Sequence, residues 1–160
     1  MLDLIIKNGS CYIDGQLKEV DVSVKDGKID NIGQINEEAK DIIDAKGLTV
    51  LPGCIDTQTH FREPGSTDTE DLHSGSRAAV AGGITAVFEM PNTNPPTSNK
   101  KEFQKKLDLA KNRMYCNYAF YFGATADNAD DLASLKGLEG CCGIKLFAGS
   151  STGNLLVAEE

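Results

Sequence analysis

The sequence has little histidine, the commonest metal ligand in proteins. Among its 160 residues are only two histidines, His60 and His73. Catalytic zinc commonly has three protein ligands and one open position, so these residues cannot build a three-histidine site. The cysteines number five and include no C-x-x-C pair. This pattern fits reduced, buried thiols better than a disulfide framework or a zinc knuckle.

Long apolar runs and an excess of basic charge are also absent. No segment approaches the ~20 apolar residues of a membrane-spanning helix. The first residues lack the basic leader, apolar stretch and cleavage site of a signal peptide, so we expect a cytoplasmic protein without a membrane partner. The net charge is -8. Nucleic acid is an unsuitable partner, because binding its phosphates requires a concentrated basic surface.

The composition that remains is that of a globular protein with a core, with 40% hydrophobic and 25% charged residues. Residues 1–50 alternate short apolar runs with turn signals. Val22 and Val24 precede the pair Asp26-Gly27, and two isoleucines follow it. This spacing predicts two short strands around a tight type I′ turn. We therefore expect residues 1–50 to form part of a small β domain.

From residue 51 onwards the pattern changes to strands that alternate with helices. Near-continuous apolar strands of this kind predict a parallel sheet covered by helices. The first helix is expected to be capped by Thr67 or Asp68, and the second to bury one face with Phe103, Leu107 and Ala110. The predicted strands are 49–60, 84–92, 116–124 and 143–149, and the predicted helices are 69–83, 98–113 and 128–137.

Four strands with three helices are half of an eight-stranded (β/α) barrel, which takes about 250 residues. The expected fold class is therefore α/β, with about the first four βα units of a TIM-type (β/α)8 barrel at residues 51–160. An open half-barrel leaves its first and fourth strands as unpaired edges, and such edges favour association. Self-association of the chain is expected on this ground.

Polar residues occupy alternate positions at the end of the first barrel strand. Asp56, Gln58 and His60 should project to one side, because side chains on a strand alternate with a period of two. The C-terminal ends of barrel strands carry the active sites of such proteins. A D-x-H-x-H run there would place two imidazoles about 7 Å apart, a span that can close on one zinc ion. Here the first imidazole is replaced by the carboxamide of Gln58, a weaker ligand.

Three motifs carry a family resemblance: "LPGCIDTQTHFREPG", "SGSRAAVAGGITAVFEMPNTNP" and "GIKLFAGSSTG". They resemble the dihydroorotase branch of the amidohydrolase superfamily, close to the hydantoinases and allantoinases. The H-F-R-E-P-G and M-P-N-T runs are the part specific to dihydroorotases. The runs "LIIKNG" and "VKDGKIDNIG" are similar to the superfamily's small β-sandwich. The resemblance thus implies part of a β-sandwich at residues 1–50 and the first half of a metal-dependent hydrolase barrel at 51–160.

Roles for individual residues follow from this resemblance. It implies that His60 is a zinc ligand, with Gln58 in the place of the other histidine and Asp56 bordering the site. Lys145 resembles the lysine that is carboxylated in many relatives and bridges two metals; a carbamate provides anionic oxygen ligands. Arg62 and Asn92 are implied to hold the substrate carboxylate.

Each of these residues also has a purely structural interpretation. His60 would then be a core histidine, and Lys145 would reach solvent or pair with Asp56. Arg62 would be a surface charge, and Asn92 a turn residue before two prolines.

The reaction implied by the resemblance is the zinc-dependent, reversible cyclisation of N-carbamoyl-L-aspartate to L-dihydroorotate in pyrimidine biosynthesis, with one or two zinc ions. The remaining histidines and a late aspartate of that site would lie beyond Glu160. The chain is therefore expected to be the amino-terminal portion of a longer enzyme. One alternative is a noncatalytic subunit that associates with aspartate transcarbamoylase, which Gln58 favours. Another is a different cyclic-amide hydrolase, of the hydantoinase or allantoinase type.

Overall fold

The structure is a computed structural model that describes residues 1–149 and 155–157. The chain divides into two compact units, Met1–Pro52 and Gly53–Glu160. Most of the "GSSTG" run in the third sequence motif lies outside the described residues.

The first unit contains a four-stranded sheet with the strand order β5-β4-β1-β6. Strand β1 is antiparallel to β4 and parallel to β6, and β4 is antiparallel to β5. Asp26 and Gly27 connect β4 to β5 with φ angles of 51° and 73°. Two consecutive positive φ angles define a type I′ turn, so the predicted hairpin is confirmed. The strands of this sheet are β1 (Leu2–Lys7), β4 (Asp21–Lys25), β5 (Lys28–Gly33) and β6 (Ala39–Asp44).

A second sheet of the first unit has the strand order β3-β2-β7. Its strands are β2 (Ser10–Ile13), β3 (Gln16–Glu19) and β7 (Thr49–Val50). The prediction of one strand over residues 49–60 is wrong, because β7 pairs with β2 and a new strand begins only at Cys54. Pro52 lies between them, and proline lacks the backbone N–H that a continuous strand needs.

The second unit is built on four parallel strands in the order β11-β10-β9-β8. A helical segment follows each of the first three strands, so the predicted alternation of strands and helices in a parallel sheet is confirmed. No helix in the described part of the chain is long and apolar enough to cross a membrane. The elements are β8 (Cys54–Thr59), α1 (Leu72–Ala81), β9 (Ile84–Glu89), α2 (Lys100–Ala110), β10 (Asn117–Gly123), a 3-10 helix (Ala129–Leu135) and β11 (Cys141–Lys145).

Helix α1 begins later than its sequence pattern predicts. The cap is Asp71, whose carboxylate accepts a hydrogen bond from the Ser74 backbone at 2.6 Å. Capping by Thr67 or Asp68 is therefore wrong, because the backbone at this point makes turns, with Thr69 N–H donating to Ser66 O. The segment between β8 and α1 is correspondingly long.

The core of the second unit is mainly aromatic and centres on Phe103, Phe120 and Phe122. Phe103 and Ala110 are buried, as the pattern of helix α2 predicts, and Leu107 is half-buried. Phe103 of α2 packs against Phe120 and Phe122 of β10, with ring centroids 6.5 and 6.1 Å apart. Since the strands are parallel, their carboxyl ends lie at one edge of the sheet, where the chemistry-bearing residues collect.

Candidate active site

The first functional contact joins the segments that follow β8 and β9. Met90 N–H donates to Thr59 O at 2.9 Å and so extends the pairing of the two strands. His60 follows Thr59, and its Nδ1 lies 3.0 Å from Oδ1 of Asn92. An amide oxygen only accepts, so this contact places the imidazole proton on Nδ1 and leaves Nε2 as an acceptor. Metal-ligating histidines usually have their second nitrogen held in this way.

The surroundings of His60 favour its neutral form. Partial burial lowers the pKa of His60 below its ordinary value of 6.5, and the nearby Arg62 guanidinium lowers it further. The bond to Asn92 opposes this shift, whereas Lys106 and Lys145 add smaller contributions in the lowering direction. Neutral imidazole is the form that binds metal ions, so burial first, and the nearby cations second, favour the ligating state of His60.

The loop that carries Arg62 is held by a buried carboxylate. Arg62 has a φ of 49°, in the left-handed region. The next residue, Glu63, is only 7% exposed and receives two hydrogen bonds from Arg113, at 2.8 and 3.2 Å. It also accepts from the Leu72 backbone N–H at 2.9 Å. Glu63 thereby connects this loop to the start of α1 and to the segment after α2. These contacts were not predicted from the sequence.

A cavity of ≈ 350 Å³ opens beside these residues. Its size lies at the small end of the range of ligand pockets. One guanidinium, two side-chain amides and three hydroxyl groups border it, a set suited to a small polar ligand with an anionic group. The lining residues are Arg62, Pro64, Ser66, Thr69, Asn92, Thr93 and Asn94.

Asp56 and Gln58 lie on strand β8, which ends one residue before His60. Asp56 and Gln58 are exposed, while His60 is half-buried. The Asp56 carboxylate accepts a hydrogen bond from the Gln58 backbone N–H at 3.0 Å, and the pairing of β8 with β9 is irregular between Asp56 and Thr59. Among the hydrogen bonds of the described residues, none joins the Gln58 side chain to His60.

Lys145 ends strand β11, at the other side of the sheet from β8. Its Nζ lies 5.2 Å from the centroid of the Phe147 ring, a cation–π contact. The structure therefore places Lys145 at the same carboxyl edge as His60 and close enough to lower the pKa of His60.

These residues do not form a zinc site by themselves. Across residues 1–149 and 155–157, no group of three or more His, Cys, Asp or Glu side chains could hold a metal ion. The predicted ligands amount to one imidazole, one neutral carboxamide and one amine. A zinc ion needs further anionic or imidazole ligands, so no chemical step through a metal can be assigned to the described residues.

One buried ion pair near the site was not predicted. Lys106 of α2 contacts the Glu89 carboxylate, and both side chains are at most 1% exposed. Lys106 Nζ also donates to Met90 O at 3.0 Å. Burial raises the pKa of Glu89 to about 7, against the opposing effect of Lys106. The sequence signal was the position of Lys106 on the apolar face of α2, between Phe103 and Ala110.

Comparison with known proteins places this arrangement in a family. The sequence pattern of the amidohydrolase family matches residues 49–141 of the chain. The chain belongs to the amidohydrolase family. An allantoinase of Escherichia coli O6:K15:H31 is 43% identical over 146 residues, which are 91% of this chain and 32% of the allantoinase. An allantoinase of Salmonella choleraesuis is 42% identical over 146 residues, which are 91% of this chain and 32% of that allantoinase.

Solved structures of amidohydrolases show the same fold. The L-hydantoinase (dihydropyrimidinase) of Arthrobacter aurescens matches with a TM-score of 0.89 and 31% identity, over 99% of this chain and 36% of that enzyme. A D-hydantoinase matches with a TM-score of 0.81 and 32% identity, over 98% of this chain and 35% of that enzyme. The chain thus spans about a third of the length of the relatives it matches. These findings confirm the predicted amidohydrolase family. The relatives that match are allantoinases and hydantoinases, so they favour the alternative of a cyclic-amide hydrolase of that type over the narrower resemblance to dihydroorotases.

Proposed function

We propose that this chain provides the His60 side of the active site of a cyclic-amide hydrolase. The observation that carries the proposal is the contact of His60 with Asn92 beside the cavity that Arg62 borders. The names of the relatives support it, since allantoinases and hydantoinases are named for opening cyclic amides. As the chain spans about a third of their length, the activity is proposed for a protein that supplies the rest of the site.

In this proposal each described residue has a limited task. His60 presents Nε2 as one ligand position, because Asn92 holds Nδ1. Arg62 binds and orients the ring substrate through its guanidinium, which offers paired N–H donors to a carboxylate or to ring carbonyls. Lys145 supplies a further ligand position only after carboxylation, because an ammonium group has no lone pair to donate.

Dihydroorotate is a second candidate substrate, and Arg62 favours it. Unlike hydantoin, dihydroorotate bears a carboxylate on its ring. A guanidinium in a small cavity whose other lining residues are all uncharged is well suited to bind that group. Discrimination between the two substrates should therefore depend on Arg62.

The test is a ring-opening assay with hydantoin, allantoin and dihydroorotate, in the presence of zinc. The 160-residue chain and any longer protein that contains it are both assayed. We expect the longer protein to open at least one ring. The Arg62→Gln variant should raise KM for dihydroorotate more than KM for hydantoin, because only dihydroorotate loses a carboxylate contact, while the control Arg77→Gln in helix α1 leaves both unchanged.

Two results would count against the proposal. If the longer protein binds zinc but opens none of the three rings, a noncatalytic role is the better interpretation. If dihydroorotate is opened equally well after Arg62→Gln, the substrate assignment to Arg62 is wrong.

A further inference from the structure

The buried ion pair of Glu89 and Lys106 calls for a physical explanation. Burying two charges costs desolvation free energy that their attraction does not always offset, and apolar replacements are often no less stable. Its presence in a mainly aromatic core is therefore not explained by stability alone. The position of the pair, beside the strands that carry His60 and Asn92, suggests a role in the candidate active site.

The pair is connected to both strands that carry the site. Lys106 Nζ donates to the Met90 carbonyl at 3.0 Å, and the Met90 N–H donates to Thr59 O at 2.9 Å. Met90 therefore links the helix α2 ammonium to the residue immediately before His60. Two positions further along the chain from Met90 is Asn92.

The carboxylate has a second link. The Phe61 backbone, immediately after His60, lies close enough to the Glu89 carboxylate to lower the pKa of Glu89. Glu89 is also the strand partner of Thr59. Backbone groups on both sides of His60 are thus held by the ion pair or by Met90. No other charged side chain in the described part of the chain is as deeply buried.

We propose that the ion pair of Glu89 and Lys106 is a positioning element of the candidate active site. It fixes the backbone at Met90 and at Phe61. The distance between His60 and Asn92 is set by these two anchor points, because each site residue is one or two positions away from an anchor. This inference deepens the proposed function and rests on it, since the contact that is positioned belongs to the site assigned there.

The tautomer of His60 reports on this positioning without any catalytic assay. The chain has two histidines, so nitrogen NMR of histidine-labelled protein gives two imidazole signals, with His73 as the internal reference. In the wild-type chain at alkaline pH we expect His60 as the Nδ1–H tautomer, because Asn92 accepts from Nδ1. A His60 released from Asn92 would show a mixture of both neutral tautomers.

The main variant is the double replacement Glu89→Leu with Lys106→Met, which removes both charges and approximately keeps the volume. We expect it to fold, with thermal unfolding close to that of the wild-type chain, and to show the tautomer mixture at His60. The matched control is Lys105→Met, which removes the neighbouring exposed lysine and its surface pair with Glu102. This control should retain the wild-type signal.

A folded double variant with the wild-type His60 signal would overturn the proposal. If the double variant does not fold, Lys106→Met alone replaces it, because this change removes the ammonium that donates to Met90 O, and burial favours the protonated form of the remaining Glu89 carboxyl. A wild-type His60 signal in Lys106→Met would equally overturn the proposal.

In the active longer protein, loss of positioning should lower kcat/KM on the order of 10-fold or more, with stability unchanged. A tautomer change in the double variant of a protein that opens no ring would refute the proposed function and leave the positioning role standing. Normal kinetics and a normal His60 signal in the double variant of an active protein would refute the positioning role alone.

Discussion

The Nδ1 atom of His60 lies 3.0 Å from the Oδ1 atom of Asn92, although 32 positions separate the two residues in the chain. This contact selects the imidazole tautomer and makes Nε2 an acceptor. It also connects the residue expected to bind metal with a residue that lines the neighbouring cavity. The site predictions below depend on this geometry.

Replacing Asn92 with alanine should release the His60 ring. We expect nitrogen NMR to show both neutral tautomers at His60 instead of the Nδ1–H form alone, because the acceptor is lost. Asn94→Ala is the control, since Asn94 lines the same cavity. An unchanged His60 signal in Asn92→Ala would show that another group fixes the ring.

Replacing Arg62 with glutamine should raise the pKa of His60, because one of the cations that lower it is removed. The stability consequence has a definite sign. With a folded pKa below 6.5, His60 contributes stability that is present above pH 6.5 and is lost as the pH falls through the folded pKa.

The Arg62→Gln chain should therefore lose less stability than the wild-type chain over this acidic range. A histidine NMR titration measures the pKa of His60. Urea unfolding at several pH values measures the free energy of unfolding. Arg77→Gln serves as the charge-matched control. A His60 pKa that is equal or lower in Arg62→Gln would contradict the electrostatic argument.

Replacing Glu63 with glutamine should lower the free energy of unfolding by about 2 kcal/mol, because a buried carboxylate with three hydrogen bonds is lost. Those bonds come from Arg113 and the Leu72 backbone. Denaturant unfolding gives the value. Glu139→Gln makes the same change at an exposed position and should have little effect. Equal losses in the two variants would mean that Glu63 does not hold the loop.

Replacing Gly75 with alanine should destabilise the chain even though alanine favours helices by about 1 kcal/mol. A β-carbon at this position would lie 2.5 Å from Cδ1 of the buried Phe61 ring. We expect a net loss of about 1–3 kcal/mol from this overpacking. Gly82→Ala is the control, because its nearest neighbour would be 3.5 Å away. Thermal unfolding of the two variants should differ clearly, and equal stability would show that the Phe61 ring moves freely.

Zinc bound to the purified 160-residue chain should amount to well below one ion per chain, measured by elemental mass spectrometry. The reason is that the described residues contain no cluster of three or more His, Cys, Asp or Glu ligands. A content near one per chain that is lost in His60→Ala, and retained in His73→Ala, would show instead that the chain completes a site alone.

Much of the fold could be predicted from local patterns. The Asp26-Gly27 turn, the apolar face of helix α2 and the parallel arrangement of strands are consequences of residue spacing and backbone conformation, which act over a few positions. The start of helix α1 was missed, because several residues can cap a helix and only the turns before Asp71 select among them.

The sequence by itself determined the family, the alternation of strands and helices, and the list of residues with suitable chemistry, including His60 and Arg62. Tertiary structure decided which of them meet. It joined His60 to Asn92, left Gln58 exposed and placed Lys106 against Glu89. The physical reason is that hydrogen bonds and ion pairs depend on distances of a few ångströms, and strand pairing brings together residues far apart in the chain.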